Sequence, residues 1–470
     1  MPRIATLTLA ALTAALSACA NLAPGYERPA APVPASYPLA ASTAATAGQP
    51  AAAEIRWQDY FGDERLRALI ALALRNNRDL RVAVLNIEQA RASYQVQQAQ
   101  SLPGVAANGA GSAARVPASL SSSGAEVTTH QYSANLGISA YELDLFGRVR
   151  NLNDQALQQF LATEQARRAT QISLVAAVAT SYLGWSADLE RLALANETLR
   201  SQHQTLELTQ ARLAKGYATE LSLRQIQASV ESARADLANY TGQLAKDRHA
   251  LALLIGAELP AALEPQPLNL QGPGLPDVPV GLPSDLLLRR PDLLQAEHQL
   301  KASTANIGAA RAAFYPRISL TAAAGVSSAE LSGLFKGGAG SWSFAPQISL
   351  PIFDAGSNQA RLDSAKVGRE IAVAQYEQAI QTAFREVADA LASRQASADQ
   401  LQAQRLQTEY SGKALTLATA RYERGVDSYL PVLDAQRSWY GAQQSLISSH
   451  LGQLSAGVTL YKALGGGWAE

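Results

Sequence analysis

The sequence has one cysteine, one methionine and five histidines among its 470 residues. A lone cysteine excludes a disulfide framework and any thiolate-rich metal cluster. The histidines, His130, His203, His249, His298 and His450, are scattered and never stand at HExxH spacing. Neither a GxSxG elbow nor a complete GxxxxGK[ST] loop occurs. Residues 333–338 (GLFKGG) are glycine-rich, but they lie between alternating stretches and fit an exterior loop. With Met1 the only methionine, a methionine ladder for soft metals has no support, although metal cargo stays open. An excess of one charge is also missing. The 39 basic and 39 acidic residues cancel, which argues against a broad basic surface for nucleic acid. No catalytic, metal-binding or cofactor-binding residue is expected. A secreted lipoprotein hydrolase and a helical scaffold without a pore remain as rival readings.

The first long apolar stretch, Ile4 to Leu16 behind Arg3, is too short to span a bilayer and reads as an export signal. It ends at Leu16-Ser17-Ala18-Cys19, which resembles the lipobox of bacterial lipoproteins. That resemblance implies removal of residues 1–18 and a mature terminus at Cys19 carrying S-diacylglycerol and an N-acyl chain. More than one acyl chain is what durable membrane attachment requires. Ala20 follows, not the aspartate associated with inner-membrane retention, so the outer membrane is the expected destination. Residues 19–62 begin as an Ala/Pro/Ser/Thr-rich stretch and read as a tether.

The remainder repeats itself. At an offset of 213, Asp79-Leu80 falls on Asp292-Leu293, Ala92 on Ala305, Ala99 on Ala312 and Pro103 on Pro316. At an offset of 209, ARLAKG ending at Gly216 falls on ARYERG ending at Gly425, and Leu221 on Leu430. YELDLFGR around Phe146 corresponds to LPIFDAGS around Phe353. Several matches in one order indicate a tandem duplication, with repeats at 63–259 and 284–464, a Pro/Gly-rich linker at 260–283 and a tail at 465–470.

In each half the pattern predicts a helix, a strand pair, a very long helix, a turn and another helix. Helical periodicity covers roughly 63–100, 151–215 and 217–256, then 284–314, 358–424 and 426–464. A helix of about 65 residues would be about 100 Å long, far beyond the needs of a compact globule. Its Ala-rich faces allow close packing on two flanks while a third stays wet, as in a closed ring of helices.

Between the helices the period becomes two. Tyr132, Leu136 and Ile138 lie in one such stretch; Ile318, Leu320, Ala322, Ala324 and Val326 form another. Trp342, Phe344, Ile348 and Leu350 alternate with Ser343, Ala345, Gln347 and Ser349. Strands of about ten residues with this alternation match a membrane barrel, and a soluble sandwich could show the same pattern. The lipobox and the lack of a second apolar sheet face favour the barrel. Four strands per chain cannot close a conducting barrel, and open edges are not tolerated in lipid. Chains must therefore pool their strands, and three would supply twelve. Trp342, Tyr132 and Tyr141 are candidates for interfacial aromatic girdles, with sheet packing as the alternative. Pro103 and Pro316 mark transitions from helix to strand. Arg289 and Arg290 before Pro291-Asp292 read as structural braces at a helix start.

GLPSDLLLRRPDLLQAE (281–297), YELDLFGRVRN (141–151), LPIFDAGSNQ (350–359) and RYERGVDSYLPVLDAQRS (421–438) together resemble the TolC-like outer membrane efflux proteins. The likeness is to the lipoprotein branch that serves tripartite exporters, and it runs from about residue 20 to residue 464. It implies a homotrimer with one twelve-stranded barrel in outer-membrane lipid and a periplasmic helical tunnel. It also implies a periplasmic membrane-fusion adaptor, an inner-membrane pump of the RND type, no nucleic acid and no covalent chemistry. A type I or other export duct is the rival within the class. In the resembling proteins the two turns form the periplasmic tip. Arg212, Lys215 and Gly216 with Arg424 and Gly425 are then the adaptor-docking candidates. Asp427, Arg421 and Tyr422 are the aperture candidates. A threefold axis would turn Asp427 into a negative ring. Its counterpart at the other turn is Ala218, so the repeats differ there. A solvated residue at a helix start is the competing reading of Asp427.

Overall fold

The computed structural model describes residues 21–37, 51–122, 124–272 and 274–468. The leader, Cys19, Ala20 and residues 38–50 of the tether lie outside these residues. The described helices are α1 (Trp57–Tyr60), α2 (Glu64–Asn76), α3 (Arg78–Ala99), α4 (Arg148–Ala214) and α5 (Glu220–Ile255), then α6 (Pro283–Arg289), α7 (Pro291–Ala312), α8 (Ser357–Glu423) and α9 (Leu430–Ala463). The strands are β1 (Val105–Val116), β2 (Val127–Leu143), β3 (Arg317–Ser328) and β4 (Gly340–Ser349). The duplication is visible in the lengths. Helices α3 and α7 both have 22 residues, and α4 and α8 both have 67. Strands β1 and β3 both have 12.

The chain divides into two units. The first contains residues up to Ala30, Asn86–Glu164 and Gln295–Tyr376. It carries one antiparallel sheet in the order β1-β2-β3-β4, so β1 and β4 are its open edges. The two halves of the duplication meet at the β2–β3 pairing, where Tyr132 lies opposite Ser328 and Leu143 opposite Ile318. A bulge falls between Ile138 and Tyr141. Every residue of β4 is exposed, as is nearly all of β1. Trp342, Phe344 and Ile348 share one β4 face, and nothing among the described residues covers it. A soluble sandwich would bury one face of each sheet, and among the described residues this sheet has no second layer.

The second unit contains Ala31–Leu85, Gln165–Leu294 and Glu377–Glu470. Tyr60 stacks on Tyr461 with ring centroids 4.0 Å apart, and Phe61 meets Tyr461 edge-on. The Tyr461 hydroxyl donates to the Ile55 carbonyl at 2.6 Å. Leu69, Ile70, Ile226, Leu251 and Ile255 are fully buried in the same unit.

Three expected helices have different limits, each for a local reason. The expected helix over 63–100 breaks at Asn77. Its carboxamide oxygen accepts from the Leu80 N–H and its nitrogen donates to the Leu254 carbonyl, both at 2.9 Å. Asn77 therefore caps α3 and ties it to α5. The expected helix over 284–314 breaks at Arg290, which is extended at φ −82°, ψ 122° because Pro291 disfavours the helical conformation before it. The helix expected from residue 426 begins only at Leu430. Asp427 thus lies in the turn, so it is not a helix-start residue.

Arg290 is 7% exposed although charged. Its guanidinium donates to both carboxylate oxygens of Asp292 (3.0 and 2.6 Å), to Glu386 (2.7 Å) and to the Ala463 carbonyl (2.8 Å). It joins α7, α8 and the end of α9. Arg289 instead pairs with Glu54 at 3.1 Å.

Candidate functional site

The two long hairpins, α4–α5 and α8–α9, end in turns built alike. After α4, the Gly216 N–H donates to Leu213 and the Tyr217 N–H to Arg212, both at 2.9 Å. After α8, Gly425 donates to Tyr422 and Val426 to Arg421, both at 3.0 Å. Both are Schellman endings, in which the residue after the helix must adopt a left-handed conformation. Gly216 (φ 79°) and Gly425 (φ 70°) do so at no steric cost. Thr219 then caps α5 by accepting from the Ser222 N–H at 3.2 Å.

Within the second turn, Arg421 grips Asp427 with two hydrogen bonds, Nε to Oδ2 at 2.5 Å and a terminal nitrogen to Oδ1 at 3.1 Å. The Arg421 guanidinium holds the Asp427 carboxyl below the usual carboxylate range. Tyr422 does not join this pair. Its hydroxyl accepts from Arg212 of the other hairpin, whose guanidinium also lies 4.9 Å from the tyrosine ring centre. Tyr422 meets Tyr429 edge-on with centroids 4.9 Å apart. Of the sequence candidates, the structure therefore joins Arg421 with Asp427 and, separately, Arg212 with Tyr422. Lys215 and Arg424 are exposed and are not drawn into either cluster.

The sequence reading missed Tyr429 and the apolar positions of the tips. Tyr217, Leu221, Val426 and Leu430 are all exposed there. The signal was present, because Tyr217 and Val426 each follow a turn glycine at corresponding places in the two repeats. Among the described residues, no group of three or more His, Cys, Asp or Glu side chains is arranged to hold a metal.

In the other unit, Tyr141 donates to the Ser101 carbonyl at 3.2 Å, at the helical end of the sheet. Tyr132 and Trp342 lie opposite Ser328 and Ala324, toward the loop end. The glycine-rich segment 333–338 lies in the β3–β4 connection.

A sheet that no other described element covers and that is open at both edges, in a chain with helices of this length, defines an outer-membrane channel subunit. A family profile described as "Outer membrane efflux protein" matches residues 69–257 and again 282–466. The chain is 50% identical over 465 residues to the probable efflux pump outer membrane protein TtgC of Pseudomonas putida, covering 99% of this chain and 96% of that one. It is 47% identical over 463 residues to the outer membrane protein OprJ of Pseudomonas aeruginosa, covering 98% and 95%. It is also similar to the open-state crystal structure of the MtrE outer membrane channel of Neisseria gonorrhoeae. That match has a TM-score of 0.87 and 39% identity, covering 96% of this chain and 99% of that one. The chain belongs to the outer membrane efflux protein family. It has the fold of the trimeric TolC-like channels, in which three four-stranded sheets make one barrel continued by long helices.

Proposed function

We propose that this chain is one third of a passive exit duct. It receives drugs, solvents or other small molecules from an inner-membrane RND pump through a periplasmic adaptor and releases them outside the outer membrane. The observation that carries this reading is the duplicated plan itself. Each repeat gives two strands to a barrel and one hairpin of great length to a tunnel. The repeats at 63–259 and 284–464, joined by the linker at 260–283, are two staves of one wall rather than separate machines.

The hairpin tips are the adaptor-docking surface. Gly216 and Gly425 shape them, Arg212, Lys215 and Arg424 supply positive charge, and Tyr217, Leu221, Val426 and Leu430 supply apolar area for burial. Asp427, Arg421 and Tyr422 form the periplasmic aperture. The Arg421–Asp427 pair stiffens the second turn, while the Arg212–Tyr422 bond ties the two hairpins to each other. Opening the aperture would require these links to yield, so the loss of either should favour the open state. No reaction chemistry is assigned to the chain.

Cys19 carries the acyl anchor. Its neighbour three residues on, Leu22, presents a carbonyl that accepts from Arg311 at 2.9 Å. Three residues of chain reach at most about 11 Å, and Arg311 lies in the last turn of α7, shortly before β3 begins. The described chain nearest the anchor is thereby tied to α7. One experiment tests the assembly and the anchor together. The protein is gently cross-linked and isolated from intact envelopes, then its bound proteins and mature N-terminus are measured by mass spectrometry. An adaptor, a pump and an acylated terminus are expected. Isolation of assembled channel with no envelope partner and an unmodified terminus would contradict the reading.

A further inference from the structure

The β2–β3 seam inside the chain is a template for the seam between chains. It joins the second strand of one repeat to the first strand of the next. Closing a ring from copies of this chain repeats that step between β4 of one copy and β1 of its neighbour.

The repeat correspondence gives the residues. Pro103 matches Pro316, so Leu102, Gly104 and Val105 stand where Tyr315, Arg317 and Ile318 stand in the second repeat. Phe146 matches Phe353, so Glu142 and Leu143 correspond to Ser349 and Leu350. Two extra residues follow Phe353, after which Gly147 matches Gly356 and Arg148 matches Ser357. The structure supports this alignment. Gly147 and Gly356 have φ of 74° and 84°, and Arg148 and Ser357 each begin a 67-residue helix.

Inside the chain, the base of the seam is held in two ways. Phe146 stacks on Tyr315 with centroids 4.7 Å apart. Glu142, with its side chain 10% exposed, accepts two 2.7 Å bonds from Arg148 and lies 2.5 Å from Arg317. The corresponding positions facing outward are Phe353 with Leu102, and Ser349 with Ser357 and Gly104. The aromatic contact has an apolar counterpart, whereas the ion triad has none. Phe353 is 89% exposed and Leu102 71% exposed, so each offers apolar area that contact with a second copy would remove from water.

We propose that Phe353 packs on Leu102 of the adjoining copy, with β4 antiparallel to the neighbour's β1 and Leu350 opposite Val105. Ser349 then faces Ala106, as Glu142 faces Ser319 within the chain. The seam between copies is consequently apolar at its base, while the seam within each chain is locked by charge. The ring therefore alternates two kinds of joint, and the copies associate without desolvating an ion pair at that level. The proposal rests on the duct reading, since it needs a second copy of the chain.

Paired cysteines test the register in the full-length protein inserted in membranes. Opposed strand residues lie at disulfide distance, so A106C/S349C should convert most of the protein to reducible dimer and trimer bands on denaturing gels. Either single variant should stay monomeric on the same gels. A106C/Q347C, displaced by two residues, should cross-link far less. L102C/F353C treated with a short bis-maleimide should give the same ladder, and it decides the matter if the strand pair does not assemble. Trimers seen by native mass spectrometry that cross-link through neither pair, or only through the displaced one, overturn the register but leave the duct intact. A protein that is monomeric by native mass spectrometry overturns the duct reading itself.

Discussion

Replacing Asp427 with alanine should raise the resting conductance of the purified channel several-fold. The replacement removes the acceptor of both Arg421 hydrogen bonds and frees a turn that those bonds brace. It also removes one negative charge from each copy around the aperture, so cation preference should fall as conductance rises. The same pair predicts an acid response. Its carboxyl is depressed in the folded chain, so the bond contributes above the ordinary carboxylate range, near pH 4, and is lost as pH falls through the depressed value. Wild-type conductance should therefore climb toward that of Asp427→Ala in strong acid, while the variant should respond little. An assembled variant with unchanged conductance would remove Asp427 from the aperture.

The second large effect belongs to Arg290→Ala. This guanidinium is buried and satisfies two carboxylates and a carbonyl from three helices. Removing one partner of a buried charge cluster costs about 3–5 kcal/mol, much of it from the charges left behind. Asp292 and Glu386 remain partly exposed, with side chains 42% and 43% accessible, and water offsets part of that loss. A penalty of about 3 kcal/mol is expected. Thermal unfolding of the detergent-solubilised protein should show it as a clear fall in Tm, without any change in ion selectivity. Wild-type stability in that variant would mean that the three-helix junction does not depend on Arg290.

Much of this was legible in the sequence because it is periodic or local. The two 67-residue helices follow from uninterrupted helical spacing, and their ends follow from Gly216 and Gly425. The repeat offsets of 213 and 209 survive as equal lengths of α3 and α7, of α4 and α8, and of β1 and β3. Strand β1 was less legible: VAANGAGSAARV has little apolar alternation. It is a strand because β2 pairs with it along its whole length, from Val105 opposite Ile138 to Val116 opposite Val127. That is a tertiary cause, which local composition does not encode.

The candidate site divided in the same way. The turns could be read from glycine spacing, and Arg421 with Asp427 from their closeness in sequence. The Arg212–Tyr422 bond could not be read from spacing, since its partners are 210 residues apart and meet only when the hairpins lie side by side. The same holds for Glu142 with Arg317, which comes from the other repeat. The helix break at Asn77 was missed because asparagine is tolerated within helices, and here the Leu254 carbonyl decides its role.

The central claim is that copies of this chain enclose a continuous aqueous path. Single-channel recording of the purified protein in planar lipid bilayers tests it most directly. Discrete, ion-conducting steps are expected, small in the wild type and enlarged by Asp427→Ala. Correctly inserted trimers that remain non-conducting in both forms would contradict it.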